Sequence, residues 1–357
     1  MLSMNWLRKI SFACTLAAII GLLTGCGPAE NVPDTSAIKV DLKTQRFDVD
    51  LYAIDTSNIA AGLHQLRSKY PDFLDYFLDT LMAYEIHGNY NDTVMGIREG
   101  LKPFLVHKDY RELEDYIKKQ YPDTKKQDEQ LTGGFKLLKY YYPQYKVPRI
   151  MYLNMGLSKW TSFLADSATQ CVGLDMFLGD DYPHYFSVGL FDYMYPQRRA
   201  SYLPVAVFTV IYRTAIPLQT QEKNLLELML QKGKEQYFLH KILPQLPDSV
   251  LFGFQKKQME WCQQNEAYIY NFFVKNQLIY SKEVQNTIPY ITDGPFARGM
   301  EPPSNPEKFT PGNIGTWLGY KMICAYMDQH KELTMPQLLQ TEFNSATFLA
   351  EAKYKPR

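Results

Sequence analysis

Residues 171–185 read CVGLDMFLGDDYPHY. Cys171 to Leu178 is apolar except for Gly173 and Asp175, and Gly179 and Pro183 bound it, so the run predicts a buried strand. Val147 to Tyr152 (VPRIMY) has the same character, and Trp160 to Ala165 between them has the length of a third strand. Most of the rest follows helical spacing. The expected class is therefore α+β, predominantly α-helical, with a small sheet packed against several helices.

The same stretch carries the densest chemistry. Asp175 falls inside the predicted strand, where a carboxylate needs a partner. Asp180, Asp181 and His184 offer oxygen and nitrogen ligands to a hard or borderline cation, with Tyr182 and Tyr185 beside them. Gly-Asp-Asp before Pro183 is also ordinary turn chemistry with tyrosines packed over it, and the turn is the simpler account. Pro196-Gln197-Arg198-Arg199 opens the next helix. Its arginines can bind an anion, answer Asp175 across the fold, or sit on an exposed first turn.

Downstream, helical segments are expected at about 196–216, 222–243, 254–278, 281–289, 311–330 and 335–342, with a proline-rich loop from Asp293 to Pro311. Ala200 to Ile216 (ASYLPVAVFTVIYRTAI) holds no His, Asp or Glu and is too short to span a bilayer, so it reads as a core helix. Upstream, Ile38 to Tyr52 alternates, with a change of parity near Thr44-Gln45, which predicts two short strands or one with a bulge. From Asn58 to Tyr142 the spacing is helical: Asn91-Asp92 caps a helix running toward His107, and Gly133-Gly134 interrupts the helix that resumes at Phe135.

Several function classes drop out. Lys+Arg and Asp+Glu both count 38, so no net charge draws the chain to nucleic acid. No G-x-S-x-G elbow, Walker loop or dinucleotide fingerprint is present. The six histidines stand singly, and Cys171, Cys262 and Cys324 lie far apart in apolar settings. They read as buried thiols rather than zinc ligands. No cofactor or metal is expected.

The N-terminus gives an address. Arg8 and Lys9 precede an apolar run from Ile10 to Leu22, and Leu23-Thr24-Gly25-Cys26 follows. This is a lipoprotein signal: cleavage falls between Gly25 and Cys26, and Cys26 carries the acyl chains, palmitate among them. The apolar run is shorter than the roughly 18–20 residues that span a bilayer. The expected organisation is a signal peptide at 1–25, a lipidated cysteine and tether at 26–36, and a single globular domain at 37–357.

Seven blocks carry a resemblance over essentially the whole chain. They are the lipobox, Arg46–Tyr52 (RFDVDLY), Val172–Tyr185, the helix start Pro196–Arg199, Gly233–Pro244 (GKEQYFLHKILP), Met259–Phe273 (MEWCQQNEAYIYNFF) and Pro311–Met327 (PGNIGTWLGYKMICAYM). In order and spacing they resemble the GldB family of gliding-motility lipoproteins of the Bacteroidetes. The resemblance implies a role in motility, secretion or envelope assembly. It also implies a zincin-like core, because the family lies near putative zinc-dependent peptidases. In those, a helix equivalent to Ala200–Ile216 carries H-E-x-x-H, and a glutamate ligand precedes the glycine matching Gly233. Here that helix has no ligand and Lys232 stands before Gly233, and a charged lysine cannot hold zinc.

These expectations favour a non-catalytic lipoprotein that binds envelope proteins, with 27 tyrosines available as contact area and no small-molecule substrate named. The alternative is a metal-dependent hydrolase with a relocated site near Asp175, Asp181 and His184. Gly27-Pro28-Ala29-Glu30-Asn31 lacks an aspartate beside the cysteine, which by the same resemblance implies the outer membrane, facing the periplasm.

Overall fold

Two hydrophobic cores lie against opposite faces of one small sheet. The computed structural model describes residues 32–158, 160–300 and 310–357; the signal peptide, Gly25, Cys26 and most of the tether lie outside them. The strands are β1 (Thr44–Arg46), β2 (Arg149–Leu153), β3 (Ser162–Asp166) and β4 (Thr169–Gly173), in the order β1-β2-β4-β3. β1, β2 and β4 are parallel, and β3 pairs antiparallel to β4. Alternation at period two sorts the side chains. Ile150, Tyr152 and Val172 join one core, while Met151, Leu153 and Cys171 join the other.

Labelling α-helices of six residues or more, α1 is Phe47–Tyr52, α2 Ile59–Lys69, α3 Lys108–Gln120 and α4 Lys125–Tyr141. The C-terminal half supplies α5 (Leu203–Ala215), α6 (Leu225–Ile242), α7 (Lys256–Gln264) and α8 (Glu266–Lys275). The last three are α9 (Val284–Ile291), α10 (Ile314–Gln329) and α11 (Met335–Gln340). α1, α2 and the turns up to Val106 cover one face of the sheet; α3 to α6 and α10 build the core on the other. α5 lies directly on β3 and β4, and Gln170 Nε2 donates to Val207 O at 2.9 Å across that contact.

α6 and α10 meet at two glycines. A Cβ on Gly319 would lie 1.9 Å from the Met229 carbonyl oxygen, and one on Gly233 would lie 2.5 Å from the Gly319 carbonyl. Only bare backbones fit at this crossing.

The expected mixed, helix-rich class is the observed one, and three of its strands lie where apolar runs placed them. Other expectations need correction. Phe47–Tyr52 is not a strand: pairing stops at Arg46 and α1 begins. Phe47 and Leu51 are both fully buried, as are Asp48 and, nearly, Tyr52, which is the i, i+4 spacing of a helix. β4 ends at Gly173, so Asp175 sits in a 3₁₀ turn beyond the strand rather than inside it. α4 runs through Gly133-Gly134 without a break; Gly134 lets the Phe208 ring of α5 approach, since a Cβ there would lie 2.4 Å from it. Asp92 caps α2 instead, accepting from Ala60 N–H at 2.9 Å, and the helical turns toward His107 begin only at Gly96. The single helix expected at 254–278 divides at Asn265 into α7 and α8.

No helix among the described residues is long and apolar enough to cross a membrane.

Candidate functional site: a cleft at the carboxyl ends of the parallel strands

β1, β2 and β4 end side by side, and each is followed within two residues by a buried polar group: Asp48, Asn154 and Asp175. The carboxyl ends of parallel strands are where open α/β sheets place ligands, because the chain turns away there and leaves a crevice. α3 adds Glu114, only 1% exposed, which accepts from Asn154 Nδ2 at 3.0 Å. α1 adds Tyr52 from the other side.

Charge is unevenly answered in this cluster. Asp48 accepts three hydrogen bonds from the Arg46 guanidinium at 2.7–3.1 Å, and Arg46 Nη1 also donates to Tyr121 O at 2.8 Å. Glu114 has Lys118 Nζ no nearer than 3.5 Å. Burial raises its pKa, the Asn154 hydrogen bond opposes the rise, and the charge of Asp48 adds to it. Asp175 is fully buried with no cation on it; Oδ2 accepts the Leu157 N–H at 2.7 Å and Oδ1 has no hydrogen-bond partner. Burial pushes its pKa up to about 7 against the pull of backbone N–H groups. The Tyr52 hydroxyl is also without a hydrogen-bond partner, and burial first, then Glu114 and Asp175, raise its pKa. Of the three acids under the strand ends, only Asp48 holds an arginine; burial pushes Glu114 and Asp175 toward the protonated form.

Above the cluster opens a cleft of about 560 Å³. Its floor is Gly156-Leu157, held in the left-handed region at φ 65° and 63°. The bond from Leu157 N–H to Asp175 ties that floor to the buried cluster. One wall is the start of α3, with His107, Asp109, Tyr110, Glu112, Leu113 and Tyr116; the other is the segment Tyr182–Val188.

The structure divides the residues singled out from the sequence. Tyr182 and His184 line the cleft. Tyr185 is buried beneath; its hydroxyl accepts from Leu178 N–H at 2.9 Å and donates to Asp175 O at 3.1 Å, which folds the segment over the strand end. Asp180 pairs with Arg199, so Arg199 does not answer Asp175. Asp181 is exposed and outside the cleft. Arg198 is 6% exposed, and its Nε and Nη1 have no hydrogen-bond partner; burial lowers its pKa. Asp175, Asp181 and His184 thus occupy a buried floor, an exposed turn and a cleft wall. Among the described residues no group of three or more His, Cys, Asp or Glu is arranged to hold a metal ion, so the structure lends the relocated metal site no support.

Sequence reasoning missed Asp48, Tyr52, Glu114 and Asn154. Asn154 carried a usable signal, a polar residue directly after the apolar Met151-Tyr152-Leu153. Asp48 was hidden by the strand assigned to its segment.

The helices hold a second buried polar cluster. Lys232, in the place where the resemblance implied a metal ligand, donates to Glu235 Oε1 at 2.9 Å, and Arg213 grips both oxygens of Glu235 at 2.9 and 2.8 Å. Burial works against the charge of Glu235, but Lys232 and Arg213 outweigh it and the pKa falls.

No curated protein and no solved structure matches the chain. A family model described as gliding motility protein GldB matches residues 29–356, nearly its full length. The chain therefore belongs to the GldB family, a gliding-motility-related family of cell-envelope lipoproteins.

Proposed function

We propose that this protein is a lipid-anchored, non-catalytic binding protein of the outer membrane, facing the periplasm, that docks envelope proteins of the motility or secretion machinery. The observation that carries the docking reading is the aromatic shoulder beside the cleft. Phe186 is 67% exposed and Phe191 50% exposed, with Tyr193 stacked on Phe191 at 6.0 Å between ring centroids. These phenylalanines, 6.3 Å apart between ring centroids beside a formed cleft, offer a partner adjoining apolar contact.

Anchoring rests on the sequence: cleavage after Gly25, acylation of Cys26, a tether to residue 36 and a globular body from 37 to 357. The zincin-like ancestry belongs to the same reading. In that reading α5 and α6 would correspond to the helix pair that holds the metal in the peptidases, with Lys232, paired to Glu235, standing at the place of a ligand.

Crosslinking in intact envelopes tests the proposal. The wild type should capture a defined partner that Phe186→Ala with Phe191→Ala loses. Cys26→Ser should lose palmitate incorporation and membrane association. Full capture by the phenylalanine variant overturns the docking reading; palmitate on the cysteine variant overturns the anchor.

A further inference from the structure

The lining of the cleft at the strand ends combines carboxylates with aromatic rings. It holds Asp109 and Glu112, the rings of Tyr110, Tyr116 and Tyr182 and the imidazoles of His107 and His184, and among the described residues no lysine or arginine. Of the described cations along the α3 wall, two have partners outside the cleft. Arg111 donates to Tyr52 O at 2.9 Å and lies over the Tyr52 ring at 5.4 Å. Lys118 approaches Glu114. Lys108 reaches Glu112 only at 3.5 Å, with both side chains more than 60% exposed, a contact that solvent screens.

Tyr116 and Tyr182 meet edge to face at 4.9 Å, so the two walls present a fixed aromatic corner. Tyrosine faces carry negative quadrupole density, which attracts a cation held over them. Carboxylates at the rim add charge-assisted hydrogen bonds.

We propose that the cleft receives a basic side chain, an arginine guanidinium or lysine ammonium, presented by an extended segment of a partner polypeptide. The inference rests on the docking reading and names the chemistry of its partner. A volume of about 560 Å³ accommodates such a side chain with its flanking backbone. Phe186 and Phe191, beyond the cleft, offer apolar contact that a polypeptide can use and a free amine cannot.

Fluorescence anisotropy on the full lipidated chain in detergent tests it. The probe is a labelled hexapeptide with two arginines; the controls are the same peptide with citrulline, which keeps the shape without the charge, and free arginine amide. The arginine peptide should bind at least about tenfold tighter than either control. Asp109→Asn with Glu112→Gln, both at exposed positions, should remove that preference, and Tyr116→Leu should weaken the arginine peptide several-fold. Equal binding of the arginine and citrulline peptides, no binding of any peptide, or an unchanged preference in the double variant overturns the proposal. Arginine amide binding as tightly as the peptide replaces the polypeptide with a small amine. The same double variant in the envelope crosslinking separates the two levels. A partner lost by the phenylalanine variant but kept by the charge variant sinks the basic side chain and leaves docking intact.

Discussion

The two buried polar clusters of this molecule solve the problem of an interior carboxylate in opposite ways. Between α5 and α6, Glu235 meets Arg213 and Lys232 and its pKa is lowered. At the strand ends, Asp175 meets backbone N–H groups alone and its pKa is raised to about 7. The first arrangement is a fastener. The second is a carboxyl group whose charge depends on pH near neutrality, placed under the floor of a cleft. Burial is nearly the same in both, so the partner set decides the outcome.

Glu235→Gln is the strongest way to break this contrast. It strands the buried Lys232 ammonium without a carboxylate, which costs roughly 3–5 kcal/mol, toward the lower end because Arg213 is half-exposed. Urea denaturation followed by tryptophan fluorescence measures it; a loss below about 1 kcal/mol would show that the cluster is no fastener.

Arg198 is the exception on the helical side, a buried cation with two unpartnered nitrogens. Arg198→Met keeps an unbranched apolar stem and removes the desolvated charge, so a gain of about 1–3 kcal/mol is expected in the same titration. Destabilisation would mean that the charge is compensated after all.

Asp175 gives a pH signature of defined sign. Its folded pKa, about 7, stands above the ordinary 3.8, so the folded chain holds the proton more tightly. Its stabilising contribution is complete below about pH 4 and is lost as pH rises to about 7, with a slope of at most about 1.4 kcal/mol per unit. Asp175→Asn should flatten that part of the profile and be the more stable chain at pH 8. Glu114, raised in the same direction, keeps a residual slope. Glu235 has the opposite sign: its contribution is present above pH 4.5 and lost as pH falls. Denaturation at pH 5 and pH 8 reads the difference, and a parallel profile for the asparagine variant contradicts it.

The smallest effect is expected at the surface. Arg199→Gln removes the ion pair to Asp180, whose side chains are 40% and 41% exposed, and should cost less than about 1 kcal/mol in the same assay.

Particular residues show why the fold was more legible than the site. Apolar runs around Ile150 and Val172 announce strands buried on both faces, because such strands have no polar face to interrupt the run. Asp175 stood out for the same reason, a charge in an apolar run. Its surroundings did not, since Glu114 lies on α3 and Asp48 on α1, and only the parallel pairing of β1, β2 and β4 brings them together. Tyr182 and His184 were read as part of a metal site or a turn, and they form a cleft wall because the Tyr185 hydroxyl bridges Leu178 and Asp175. Alternation in Arg46–Tyr52 misled because, over so short a stretch, period two and period four both place Phe47 and Leu51 together.

The Gly233–Gly319 crossing sets a condition on how this protein can vary. With bare backbone against bare backbone, α6 and α10 cannot slip past one another by one residue without driving a side chain into a carbonyl. The two glycines work as a register pin, and a change at one has no compensating change at the other, since neither has a side chain to shorten. A sequence that keeps α6 and α10 but loses either glycine must separate the helices, and with them the Trp317 and Met229 side chains that fill the core beside the pin.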